Sequence, residues 1–166
     1  MKAVLLALSP SIGMKFYTAG VANALAAYGH HHVWVIGSGA LRKTAFHGNV
    51  NLLSGYSFSS TGLSSSALDP VRFCRLLKLI DDLGPSVVHF TGPHTWVWPL
   101  AICLGRKYPL ILTQHDATTH YGARGERLKR VYRKAVVGAA DCIVLHSAAV
   151  DESLRKIGIR PSAVSV

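Results

Sequence analysis

The sequence predicts an α/β domain: an open parallel sheet with helices on both faces. Three observations carry this. Short apolar runs alternate with amphipathic segments along the whole chain. Several runs are apolar at nearly every position, as strands covered on both faces are. Turn and capping residues mark most of the changeovers. The 166 residues, 49% hydrophobic and 16% charged, suit one soluble domain with a real core and no disorder.

"KAVLLAL" (2–8) is the first strand, followed by the turn-rich piece "SPSIG". A helix is predicted over 16–29, ending at Gly29, a natural residue just past a helix end. "HHVWVIG" (31–37) and "NVNLLSG" (49–55) read as the second and third strands. Residues 56–68 are rich in serine and glycine and read as a surface loop. The segment 69–84 has firm helix punctuation: Asp69 as N-cap, Pro70 in the first turn, Gly84-Pro85 at the end. Phe73, Leu76, Leu77 and Ile80 make its apolar stripe, with Arg75, Lys78 and Asp82 off it.

"SVVHFTG" (86–92) is the fourth strand, and 95–107 is a helix with Pro99 tolerated in its first turn. "YPLILTQ" (108–114) is the fifth strand. A strongly amphipathic helix follows over 125–141. Leu128, Val131, Tyr132, Ala135 and Val136 are expected to be buried, and Arg127, Lys129, Arg130, Arg133 and Lys134 face away. "CIVLHS" (142–147) is the sixth strand, 148–158 the last helix, and 162–166 the start of one more strand. No internal repeat or domain boundary interrupts the pattern.

Cys74, Cys103 and Cys142 are widely spaced in apolar stretches. They are expected to be buried free thiols in a reducing compartment. The N-terminal apolar run is too short for a secretory signal, and no segment nears the ~20 apolar residues of a membrane span. The expectation is a cytoplasmic chain, with peripheral contact at the inner membrane face allowed. The net charge of +10 favours an anionic partner: phospholipid, nucleic acid or a phosphorylated small molecule.

In open parallel sheets, ligands bind at the carboxyl ends of the strands. The candidate loops are therefore 9–13, 37–42, 91–96, 114–122 and 146–147. No G-x-G-x-x-G follows the first strand, and there is no P-loop, no G-x-S-x-G and no H-E-x-x-H. "GHHH" (29–32) enters a strand at the wrong end of the sheet, and its side chains alternate between faces. His115 and Asp116 are adjacent and diverge, which argues against a hydrolytic triad. A zinc site from His94, His115 and His120 lacks diagnostic spacing, so no metal and no cofactor are expected. What remains is a set of Ser, Thr, His, Asp and backbone amide groups suited to a polyhydroxylated or phosphorylated ligand. Gly13, read as lying just before the first helix, leaves room for such a ligand to approach the backbone.

Taken in order, "SPSIG…ALAAYGHHHVWVIGSG", "LGPSVVHFTGPHTW", "PLILTQHDATT" and "AADCIVLHSAAVDESLRKIGI" resemble the N-terminal half of the retaining glycosyltransferases of family 4, which have the GT-B fold. The resemblance spans nearly the whole chain. It implies a Rossmann-like, acceptor-side half of an enzyme that moves a sugar from a nucleotide-sugar donor to a hydroxyl acceptor, lipid-linked or glycan. It implies that His115 holds the donor sugar, as the catalytic residue, and that Gly13 lies near its phosphates. Ser11, Thr91, His94, Asp116 and Thr118 would be substrate contacts. Ile12 replaces the first glycine of the family's Gly-Gly loop, and Ser86 its usual aspartate. The family's donor site lies mainly in a second α/β domain, so a C-terminal domain or separate chain is an expected partner, and the isolated chain is expected to be inactive.

Two further readings stand beside it. The cations Arg127, Lys129, Arg130, Arg133 and Lys134 read either as a solvated helix face or as a contact for an anionic membrane; nucleic acid is a weaker partner. The whole chain could instead be a non-catalytic Rossmann-like module that docks on a partner chain or an anionic membrane.

Overall fold

A computed structural model describes residues 1–9, 11–29, 32–39, 41–55, 69–115, 126–159 and 164–165. Its centre is one seven-stranded sheet in the order β3-β2-β1-β4-β5-β6-β7. The strands are β1 (Lys2–Ala7), β2 (His32–Gly37), β3 (Val50–Ser54), β4 (Val87–Phe90), β5 (Leu110–Gln114), β6 (Cys142–Leu145) and β7 (Val164–Ser165). Every neighbouring pair is parallel. The helices are α1 (Ile12–Ala27), α2 (Pro70–Leu83), α3 (Val97–Leu104), α4 (Glu126–Gly138) and α5 (Ala148–Lys156).

β1 shows why the sheet is covered on both faces. Its successive side chains alternate. Val4 and Leu6 enter a core with Leu76 and Ile80 of α2, Leu100 and Leu104 of α3, Val136 and Val137 of α4, and Leu154 of α5. Ala3, Leu5 and Ala7 enter a second core with Ala19, Ala22 and Ala26 of α1. The coverage is unequal: among the described residues, α1 packs on one face and α2 to α5 on the other. The alanine face of α1 lets that helix lie close to the sheet.

Local chemistry fixes the ends of α2. The Asp69 side chain accepts hydrogen bonds from the amides of Val71 and Arg72, and Gly84 closes the helix in the left-handed region at φ 55°. Pro99 lies in the first turn of α3, where its missing N–H breaks no helical bond.

The first helix differs from expectation. It begins at Ile12 rather than at residue 16, so Gly13 lies in its first turn and not ahead of it. The helical bond from Lys15 N to Ser11 O, 3.3 Å, draws the turn-like segment into the helix. Two burial expectations are corrected. Cys74 and Cys103 are exposed and Cys142 only half-buried, because the first two lie on the outward sides of α2 and α3. Val131 is 66% exposed, because α4 packs through Tyr132, Val136, Val137 and the following Ala140, and Val131 stands on the opposite side of the helix. The serine-rich loop read over 56–68 lies outside the described residues.

Candidate active site

Seven parallel strands place all their carboxyl ends on one rim of the sheet. His115 directly follows β5 on that rim. Its Nε2 lies 3.0 Å from the carbonyl oxygen of Thr91, at the end of β4. A carbonyl only accepts, so the proton of this bond sits on Nε2. Thr91 is itself firmly held. Its amide donates to Leu6 O at 3.2 Å. Thr18 directs its hydroxyl proton to Met14 O at 2.7 Å. That leaves Thr91 as donor across the 2.8 Å pair with Thr18, shared with Leu6 O at 3.2 Å.

Two rings pack on His115. The imidazole of His146, just past β6, stacks on it with centroids 4.2 Å apart and planes 26° from parallel. Tyr17 of α1 meets both imidazoles edge-on, at 4.8 Å to His115 and 4.9 Å to His146. The Tyr17 hydroxyl lies 2.9 Å from Thr113 Oγ1, which lies 2.8 Å from His89 Nε2. His89 is buried, and its pKa falls to about 4, first through desolvation and then through the proximity of His115. It is neutral at neutral pH. Four elements, α1, β4, β5 and β6, thus deliver one polar and aromatic cluster to the middle of the rim.

The other expected contacts divide. Ser11 and Gly13 are exposed at the start of α1. Nothing in the described structure lies within 4 Å of a Cβ added at Gly13, so neither packing nor a positive φ requires glycine there. Thr91 is fully buried, and its hydroxyl serves the internal network. His94 is also buried; its Nδ1 accepts from the Trp96 amide at 3.1 Å, and desolvation lowers its pKa to about 4. Tyr132 of α4 donates to the carbonyls of His94 and Thr95 at 2.6 and 3.2 Å and accepts from Trp98 N at 3.3 Å. Burial raises that phenol to about 12. Asp116, Thr118 and His120 lie outside the described residues. Ser38, in the loop after β2, is buried, and its hydroxyl has no partner among the described residues.

Tyr17, His89, Thr113 and His146 were not singled out from the sequence. The His146–Ser147 loop had been placed on the rim, so position was the available signal for His146. Tyr17 gives none: it lies inside the predicted helix, and helical spacing alone does not show that it faces the rim.

Arg130 and Lys134 of α4 are exposed and Arg133 is half-buried. Arg130 Nη2 donates to Ile157 O, 2.7 Å away at the end of α5. Arg127 and Lys129 belong to α4, with side chains outside the description. Among the described residues, no three His, Cys, Asp or Glu side chains gather as metal ligands, and no helix is long and apolar enough to cross a membrane.

The model of Glycosyltransferase Family 4 matches residues 12–166. No curated protein matches by sequence. UDP-GlcNAc 2-epimerase from Neisseria meningitidis, bound to UDP-GlcNAc, superposes with a TM-score of 0.71 at 14% identity, covering 100% of this chain and 45% of that one. Anabaena Alr3699/HepE in complex with UDP and glucose gives 0.64 at 17% identity, with 100% and 43% covered. The lipopolysaccharide outer core galactosyltransferase WaaB gives 0.62 at 12% identity, with 100% and 45% covered. The chain therefore spans less than half the length of these structures. Its fold is a Rossmann-like half of the GT-B fold.

Proposed function

The chain belongs to glycosyltransferase family 4, and from that premise we propose that it forms the acceptor-side half of a retaining glycosyltransferase. In this reading a sugar passes from a nucleotide-sugar donor to a hydroxyl acceptor, and a second α/β domain or chain grips the nucleotide. His115 carries the proposal. It stands on the carboxyl rim, held in one tautomer by Thr91 O and in one plane by His146 and Tyr17. With Nε2–H directed at Thr91, the neutral ring presents Nδ1 as an acceptor, the group a sugar hydroxyl requires. When protonated, Nδ1 becomes a donor to developing negative charge. Gly13, whose helix-weakening absence of a side chain nothing in the described structure demands, suits close approach of a sugar phosphate to the first turn of α1. Ser11, and Asp116 and Thr118 after His115, would complete the substrate contacts. Thr91 and His94 would act from inside, by holding His115 and the β4–α3 loop.

The test joins this chain to a donor-binding domain, in one chain or two, and measures sugar transfer. His115→Ala should lower the turnover on the order of a hundredfold while the far-ultraviolet spectrum is unchanged. Turnover like that of the parent would remove His115 from the reaction. Stable docking to the second domain with no transfer from any nucleotide sugar would favour a non-catalytic module.

A further inference from the structure

We infer that His146 is a second sugar-binding residue of the rim, taking one hydroxyl of the substrate while His115 takes its neighbour. The inference rests on the reading of His115 as a sugar contact and extends that contact from β5 to β6. His146 is exposed, whereas His115 is half-buried. An exposed histidine is ordinarily a mobile, solvated side chain. This one is fixed. Its ring lies on the His115 imidazole, 4.2 Å between centroids, and the Tyr17 ring meets it edge-on at 4.9 Å. Tyr17 is itself anchored, with its hydroxyl 2.9 Å from Thr113 Oγ1. Among the described residues, neither ring nitrogen of His146 has a hydrogen-bond partner. A phenyl ring would make the same stack. The nitrogens are what the imidazole adds, and no described residue uses them.

The geometry of the pair selects the ligand class. Imidazole lone pairs and N–H bonds lie in the ring plane, and the two planes are only 26° from parallel. The nitrogens of the two rings therefore point side by side. They do not converge on one ion at the ~2.1 Å that a shared metal needs. Neighbouring hydroxyls of a sugar ring also stand side by side, about 3 Å apart, one hydrogen-bond length. Each hydroxyl both donates and accepts. A neutral imidazole offers one donor and one acceptor and a protonated one two donors, so His146 can bind a hydroxyl in either state. Because its ring is already held by two aromatic contacts, binding costs little further loss of side-chain freedom. Two stacked imidazoles on adjacent strand ends thus form a clamp for a pair of hydroxyls, with Tyr17 as its wall.

The experiment records imidazole proton–nitrogen NMR spectra of the chain during titration with glucose, its monodeoxy forms and inorganic phosphate. Glucose should move the His115 and His146 signals along one saturation curve, and one monodeoxy form should move His115 alone. His146→Phe keeps the ring stack, so His115 should stay in the Nε2–H form while glucose binding weakens about three- to tenfold. In the chain joined to a donor-binding domain, the same variant should lower kcat/KM by a like factor. A variant that binds glucose and transfers as the parent does would overturn the inference and reduce His146 to a stacking surface. So would a glucose titration that leaves His146 unmoved, whether or not the joined enzyme transfers sugar, or a His146 response to phosphate and not to glucose. Glucose shifts at both imidazoles, with no transfer from any nucleotide sugar, would support the clamp and sink the transferase reading.

Discussion

The imidazoles of His115 and His146 stack face to face, 4.2 Å between centroids, across the ends of two adjacent strands. The stack and the bond to Thr91 O together dictate where the ring proton of His115 resides. In alkaline buffer, long-range proton–nitrogen NMR should show His115 as the Nε2–H tautomer. In His146→Ala the same spectrum should show tautomer averaging. A dominant Nδ1–H form in the parent protein would contradict the geometry.

Acid should weaken the fold through His89 and His94. Both are held neutral down to a pKa of about 4, against an ordinary value of 6.5. The unfolded chain takes up these protons as the pH falls below 6.5, while the folded chain does not. Stability is therefore intact above that value and declines between 6.5 and 4, by up to about 3 kcal/mol for each histidine. Urea unfolding at neutral and mildly acidic pH measures the decline. It should be clearly shallower in a His89→Asn, His94→Asn variant.

Tyr132→Phe removes one hydroxyl that serves two carbonyls and one amide at the start of α3. The carbonyl of His94 then loses one of two donors and keeps the Val97 amide at 3.0 Å. The expected cost is about 0.5–1.5 kcal/mol in urea unfolding.

Two glycines should respond in opposite directions. At Gly37 an added Cβ would collide with Leu41 Cδ1 and meet Ala7 O at 3.0 Å, so Gly37→Ala should destabilise by about 1–3 kcal/mol. At Gly13 it meets open space in a helical turn, so Gly13→Ala should stabilise by up to about 1 kcal/mol. Under the proposed function, the same change would lower transfer by crowding the donor. Thermal unfolding set beside transfer rate tests both halves.

The strand positions and α2 were legible because they follow from local rules: apolar runs, an aspartate cap, a glycine stop. His115 was legible through its place after β5. Val131 misled because an apolar residue four before Ala135 was counted into the stripe, while the buried side of the helix is centred on Val136 and Val137. Cys74 and Cys103 misled because an apolar neighbourhood in sequence is not one in space. The Tyr17–Thr113–His89 chain was illegible, since its members lie 96 and 24 residues apart and meet only through the crossovers of the sheet.

Thr91 offers its carbonyl to His115 while its own amide grips Leu6 of β1. The imidazole is thus surveyed from β1 and the end of β4, inside the sheet, and not from the loop that follows it. Under the proposed function, sequence changes in the rim loops would alter the acceptor taken while the ring stays on its benchmark.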